Sequence, residues 1–295
     1  MSHPAGPISG PESIVLAWNF DPIVVAPVLT AAALYIYGWA RASRQMAGRF
    51  DRRHLCAFLT GLVAVGVALV SPLDSLGESL LLAHMGQHLL LMLVAPPLLW
   101  LGAPVAPLLL GLPRRLRRAV AAGLALAPVR KLAESVRHPI VAWVSFSLAF
   151  WIWHVPALYD LALHSEAWHH AEHACFFITA LLFWRPVILA WPARSAWPRW
   201  AMIPYLVLAE AQNTALAAIL TFSDRVIYPA YGALPPMWGL SPLEDQAIAG
   251  VIMWVPGSLA FLLPVVWLVA TTLTAPRPVL RRTRLGESQP IAKLE

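Results

Sequence analysis

Charged side chains are scarce in this 295-residue chain: they make up 12% of it, whereas hydrophobic residues make up 59%. An ordinary soluble domain carries about 25% charged residues, and a water-soluble fold of this size could not bury so much apolar surface. A bilayer can accommodate that surface, because lipid replaces water around the outward-facing side chains. The shortage of charge therefore excludes an ordinary soluble domain and predicts an all-α, multi-pass membrane protein.

Cysteine is also scarce, since Cys56 and Cys175 are the two in the chain and no CxxC motif is present. This excludes a disulfide framework and a thiolate metal clip. The net charge of +6 would favour nucleic acid as the partner of a soluble chain. Here the positive charges lie in loops between apolar runs, so we expect no nucleic-acid partner.

Seven apolar segments have near-spanning length and predict a seven-transmembrane-helix bundle over residues 21–275. They cover residues 22–40, 54–70, 79–95, 139–153, 168–191, 200–220 and 247–273. The fourth, at roughly 1.5 Å per residue, is only ~22 Å long and must extend further. A polar outer tail (1–20) and a basic cytoplasmic tail (276–295) flank the bundle.

Lysine and arginine, with the exception of Arg225, lie in alternate loops and in the C-terminal tail. The positive-inside rule makes these loops cytoplasmic and predicts an N-terminus outside and a C-terminus in the cytoplasm. The prolines within 95–112 predict the end of the third span at Ala95. The basic stretch 114–137 predicts one amphipathic helix that touches membrane lipid on the cytoplasmic side.

Two histidine pairs have helical spacing: His84 and His88 in HMGQH, and His169 and His173 in HHAEH. Residues four apart lie on one helix face, and such pairs chelate metal ions. His154, at the end of the fourth span, completes a candidate metal site at the predicted outer face. The alternative is that these are interfacial histidines bonded to headgroups or outer-loop carboxylates.

Imidazole suits copper, zinc or iron, and the thioethers of Met85 and Met92 would favour Cu(I). We expect Gln87, Asp224, Glu244 and Asp245 as accessory groups that orient the ligands; Glu244 and Asp245 could instead be first-turn charges of the last span. The doubled His169–His170 leaves the ligand open, although the spacing to His173 favours His169. The role of Glu210, within the sixth span, is also left open.

Three blocks of the sequence form a familiar set: HMGQHLLLMLVAPPLLWLGAP; then WHVPALYDLAL with HHAEHACFF and LFWRP; then FSDRVIYPAYG with SPLEDQAIAGVIMWVPG. Together they resemble the CtaG family of integral membrane cytochrome c oxidase assembly factors, a domain also found fused to CopD-type copper proteins. The family's histidine positions fall on His84, His88, His154, His169 and His173. Its acidic pair falls on Glu244 and Asp245.

The resemblance implies a non-enzymatic, copper-binding chaperone of the bacterial inner membrane. It would bind Cu(I) near the periplasmic face and deliver it to the catalytic subunit of cytochrome c oxidase, with a periplasmic copper chaperone as a candidate donor. The alternatives are a haem or redox protein with these histidines as axial ligands, or a metal transporter. Zinc proteolysis is disfavoured, because Glu172 does not occupy the HExxH position. The sequence leaves the oligomeric state open.

Overall fold

The computed structural model describes residues 17–192, 197–233 and 238–274, which form helices and no strand. Residues 1–16 of the predicted outer tail and the whole predicted cytoplasmic tail lie outside the described residues. In chain order the helices are α1 (Pro22–Gln45), α2 (Arg52–Val70), α3 (Pro72–Gly77), α4 (Leu81–Leu89), α5 (Ala95–Leu101), α6 (Val105–Gly111), α7 (Arg114–Ala125), α8 (Ala127–Val136), α9 (Pro139–Trp153), α10 (Pro156–Leu163), α11 (Glu166–Ile188), α12 (Met202–Phe222), α13 (Pro229–Gly232) and α14 (Pro242–Thr274).

Six helical stretches of the described chain are long and apolar enough to cross a membrane. They are α1, α2, the combined stretch Leu81–Leu101, α11, the stretch Arg199–Phe222 and α14. The pair α9–α10, bent by 76°, makes a seventh if it is counted as one span. The prediction of an all-α, multi-pass membrane protein is confirmed, with six or seven spans.

The third span continues past the point where the prolines predict its end. A π-helical turn, Leu90–Val94, joins α4 to α5. Pro96 has no N–H to give to the carbonyl of Met92, four residues earlier, and the indole Nε1 of Trp184 donates to that carbonyl instead, at 2.9 Å. The prediction of an end at Ala95 is wrong, because a side chain from α11 replaces the missing backbone donor.

The basic stretch forms two helices, α7 and α8, instead of the one predicted. Pro128 lacks an N–H, and its ring would clash with the carbonyl of Leu124 if the helix ran straight through. The chain is therefore extended at Leu126, where ψ is 133°. Neither helix buries a residue, as expected of an amphipathic segment at a membrane surface.

Small residues and one amide hold α14 against α12. A Cβ built on Gly257 would lie 2.7 Å from Asn213 Nδ2, so a larger residue would have to displace that amide. The same Asn213 amide donates to the carbonyl of Met253 at 3.2 Å. This interhelical packing follows the pattern of membrane bundles, in which small residues and polar side chains join helices.

Candidate metal centre

Three helices bring the histidines to one end of the bundle. α4 carries His84 and His88, α11 carries His169 and His173 in its first two turns, and His154 directly follows the last residue of α9. Within each pair the rings are in contact along one helix face, edge to face for His84 and His88 with centroids 4.4 Å apart, and tilted for His169 and His173 with centroids 4.2 Å apart. The helical spacing read from the sequence therefore produces two adjacent imidazole pairs.

The two pairs and His154 meet across the helices. The ring centroid of His84 lies 5.4 Å from that of His169 and 5.8 Å from that of His173. The ring of His88 lies 6.1 Å from that of His154 and 5.5 Å from that of His173. All five predicted histidines thus converge on a common region.

A carboxylate lies within this group. Glu172 is fully buried, with Oε2 at 3.6 Å from His84 Nε2 and Oε1 at 3.7 Å from His88 Nε2. Ligand atoms of His84, His169, Glu172 and His173 all lie within 4.8 Å of one another. We call these five histidines and Glu172 the histidine cluster.

Glu172 was not predicted as part of the site. In HExxH, the motif to which the HHAEH segment is most readily compared, the carboxylate occupies another position. The signal was present, because Glu172 follows His169 by three residues and so shares its helix face.

Many polar atoms of the cluster are buried without a hydrogen-bond partner in the described ranges of the chain. They are both ring nitrogens of His84 and His88, Nε2 of His154, His169 and His173, and both carboxylate oxygens of Glu172. Buried polar groups are nearly always paired, and an unpaired group needs an explanation such as an ion. Ligands bonded at about 2.0–2.1 Å lie roughly 3.3–4.2 Å from one another, so the donor set fits a metal ion after small side-chain adjustments.

His154 is held in a defined tautomer by the end of α9. Its Nδ1 donates to the carbonyl of Phe150 at 2.7 Å and so caps the helix. Val155 is extended before Pro156, as residues preceding proline usually are. The Nε2 lone pair of His154 is then free to accept a metal ion or a proton donor.

The methionines expected as accessory ligands are buried beside the cluster. Met85 and Met92 line a cavity of ≈ 20 Å³ together with His88 and His154. The volume has room for about one water molecule. Their thioethers therefore lie around a space next to the imidazoles.

Of the four expected accessory polar groups, two form hydrogen bonds with other partners and one is exposed. The Gln87 amide donates to the carbonyl of Ala68 at 2.8 Å and to Asp74 Oδ1 at 2.9 Å, which ties α4 to α2 and α3. Glu244 accepts bonds from the backbone N–H and the hydroxyl of Ser241 at the start of α14. Asp224 is exposed and lines a surface cavity with Arg225. The hydrogen bonds of Gln87 and Glu244 thus go to groups outside the histidine cluster.

Asp245 supports the site from outside it. Its carboxylate accepts the backbone N–H groups of Leu81 at 2.7 Å and Leu82 at 3.0 Å. These are the first residues of α4, whose N–H groups have no partner within the helix. A side chain from α14 thereby caps the helix that carries His84 and His88.

Three tyrosines pack around the cluster. The ring of Tyr159 lies 5.0 Å from that of His84, Tyr228 donates to the carbonyl of His154 at 3.4 Å, and Tyr231 donates to the carbonyl of Gly77 at 2.6 Å. Burial raises the pKa of Tyr228 and that of Tyr231 above the ordinary value, so both hydroxyls remain protonated donors. No role was predicted for these three tyrosines from the sequence.

The adjacent residues His169 and His170 contact different sets of side chains. His169 lies in the cluster, whereas Nε2 of His170 lies 3.6 Å from Asp21 Oδ2. Asp21, Glu166 and His170 form a second, more exposed group of possible ligands. The geometry agrees with the spacing argument that favours His169.

Fold and site together define a class: a multi-pass helical membrane protein with a buried imidazole–carboxylate centre. The family described as cytochrome c oxidase caa3 assembly factor (Caa3_CtaG) matches residues 33–275. The chain belongs to this family, so the resemblance seen in the sequence is confirmed.

Mycobacterial proteins are among the relatives of the chain. It is 24% identical over 264 residues to an uncharacterized protein of Mycobacterium leprae, a match that covers 86% of this chain and 39% of the relative. Uncharacterized proteins of Mycobacterium bovis and Mycobacterium tuberculosis are each 26% identical over 273 residues, covering 91% of this chain and 41% of theirs. The chain thus spans about two-fifths of the length of these relatives. No solved structure matches the chain.

Proposed function

We propose that the chain is a cytochrome c oxidase assembly factor that binds copper as Cu(I) in the histidine cluster and passes it to the catalytic subunit of the oxidase. The observation that carries the proposal is the convergence of five imidazoles, of which four are buried and that of His169 is partly buried, with one buried carboxylate. Many polar atoms of this group lack partners within the described residues. The family membership supplies the oxidase as partner.

Charge favours a monovalent ion. Glu172 is the carboxylate of the cluster, and metal binding requires it deprotonated. Its single negative charge balances one positive charge, whereas a divalent ion would leave a net charge in a buried site, which is costly. Imidazole and thioether both suit Cu(I). Copper would be the cargo, and the chain's own residues would hold the ion and exclude water from it.

Transfer is feasible because the ligands are similar and numerous. Neutral imidazoles can be exchanged one at a time without a change in net charge. Asp245 and Phe150 hold the ligand-bearing helix ends in place, so the site itself need not rearrange. We propose that the chain lies in the inner membrane and that its histidine cluster faces the periplasm. The N-terminus would then be outside and the C-terminal tail in the cytoplasm, and residues 21–275 would form one domain.

The haem alternative fits less well. Ring centroids in the cluster are 4.2–6.1 Å apart, and the adjoining cavity is ≈ 20 Å³. Cofactor pockets are about 300–1,000 Å³. A macrocycle between these rings would therefore require the helices to separate.

Complementation tests this function. Cells that lack the chain would receive either the wild type or the His84→Ala/His169→Ala/His173→Ala variant, and the copper content of the purified oxidase would be measured. We expect the variant to leave the oxidase copper-deficient. His164→Ala is the matched control, because His164 is exposed and its Nδ1 donates to the carbonyl of Asp160 outside the cluster. Full oxidase copper with the triple variant would refute the proposal.

A further inference from the structure

A second group of soft donors lies directly beside the histidine cluster. Three methionines, Met85, Met92 and Met253, and two histidines, His88 and His154, are among the residues that line the cavity of ≈ 20 Å³, and the rest of the lining is mostly leucine and phenylalanine. The methionine side chains come from two different parts of the bundle: α4 with its π-helical turn, and α14. The histidine cluster has no residue on α14, so the cavity is a separate space that shares His88 and His154 with the cluster.

The methionines are placed as ligands would be. Met85, His88 and Met92 follow one another at intervals of three and four residues, which puts them on one helix face. The three methionines are buried, at 0%, 5% and 5% exposure for Met85, Met92 and Met253. The backbone of Met253 is held in place, because its carbonyl accepts a hydrogen bond from the Asn213 side-chain amide.

Unpaired polar atoms also point to a ligand here. His154 is 6% exposed and its Nε2 has no partner within the ranges that the structure describes. Both ring nitrogens of His88 are likewise buried without a hydrogen-bond partner in those ranges. A cavity lined by leucine, isoleucine and phenylalanine alone would stay dry, whereas the lining of this one adds imidazole and thioether groups to leucine and phenylalanine.

From these observations we infer that the cavity is a second Cu(I) site, with the Met85, Met92 and Met253 thioethers and the imidazole of His88 or His154 as ligands. The inference rests on the proposed function and extends it: His88 and His154 hand the ion from the histidine cluster to a neutral, sulfur-rich site deeper in the bundle. Thioethers select Cu(I) over the divalent ions that imidazole and carboxylate also bind. The ion keeps its oxidation state, and only ligands are exchanged.

The test is X-ray absorption at the copper edge, with the copper-to-chain ratio, on protein titrated with Cu(I) under anaerobic, reducing conditions. We expect about two ions per chain and a sulfur shell in the wild type. The Met85→Leu/Met92→Leu/Met253→Leu variant should lose the sulfur shell and one ion. Methionine-to-leucine changes conserve volume and are well tolerated in cores. Met202→Leu is the matched control, since Met202 is equally buried, at 1% exposure, but does not line the cavity.

A fourth sample separates this inference from the proposed function. The His84→Ala/His169→Ala/His173→Ala variant should keep the sulfur-bound ion and lose the other. Copper bound only by nitrogen or oxygen in the wild type, with no change in the methionine variant, would overturn the second site and leave the proposed function standing. A sulfur-bound ion as the sole copper, unaffected by the histidine variant, would support the second site and contradict the proposed function.

Discussion

Replacing Asp245 by asparagine tests how the helix that carries His84 and His88 is held in place. The Asp245 carboxylate is 4% exposed and accepts two backbone N–H groups at the start of α4. Asparagine has the same shape but only one acceptor oxygen, and its NH₂ group would face the second N–H. The variant therefore loses one hydrogen bond and leaves one buried donor unpaired.

The magnitude follows from the kind of bond that is lost. Hydrogen bonds to charged groups contribute about 1.5–3 kcal/mol each. At about 2–4 °C per kcal/mol for a large domain, the midpoint of thermal unfolding in detergent should fall by roughly 3–12 °C. We also expect weaker copper binding, although no ligand has been removed, because α4 would lose its anchor.

Glu244→Gln is the matched control, since Glu244 is the adjacent carboxylate but is exposed. It should shift the unfolding free energy by less than about 0.5 kcal/mol, as surface changes usually do. An Asp245→Asn variant that unfolds at the wild-type temperature, or equal destabilisation in the two variants, would refute the capping role of Asp245.

Three further predictions concern packing, charge and orientation. Gly38→Ala should abolish folding or lower its yield sharply, because the new Cβ would lie 1.7 Å from the carbonyl oxygen of Pro107, whereas Gly66→Ala, with open space around it, should be neutral or stabilising in thermal unfolding. Glu172→Gln should weaken Cu(I) binding at least about tenfold in competition titrations with little change in unfolding temperature; unchanged affinity would remove the carboxylate from the site. In a cysteine-free background, Asp224→Cys should react with an impermeant thiol reagent in intact cells and Gly123→Cys only after permeabilisation, and the reverse pattern would invert the topology.

Much of the membrane fold could be predicted because bilayer insertion depends on local composition. Each predicted apolar segment overlaps a helix of the structure. The end of the third span was wrongly predicted because a distant partner decides the outcome there, whereas the division of the basic stretch at Pro128 is a local effect. Pro96 should end a helix by local rules, yet the indole of Trp184, far along the chain, satisfies the freed carbonyl of Met92.

For the site, too, local signals were predictable and contacts with distant residues were not. The i,i+4 spacing of His84/His88 and His169/His173 is a local signal that predicted two imidazole pairs, and the position of His154 at the end of the fourth span added the fifth imidazole. Asp245 was expected as an accessory group that orients a ligand, but its partners are N–H groups more than 160 residues away. No spacing rule reports such a contact. Glu172 had a local signal, which the comparison with HExxH obscured.

The most direct test of the central claim is the copper-to-chain ratio of purified protein after loading with Cu(I) and removal of excess metal. The wild type should retain copper. The His84→Ala/His173→Ala variant should retain clearly less, because it removes one imidazole from each helix pair of the cluster. Equal copper in both proteins, with both folded, would contradict the account and leave the histidine cluster without its proposed role.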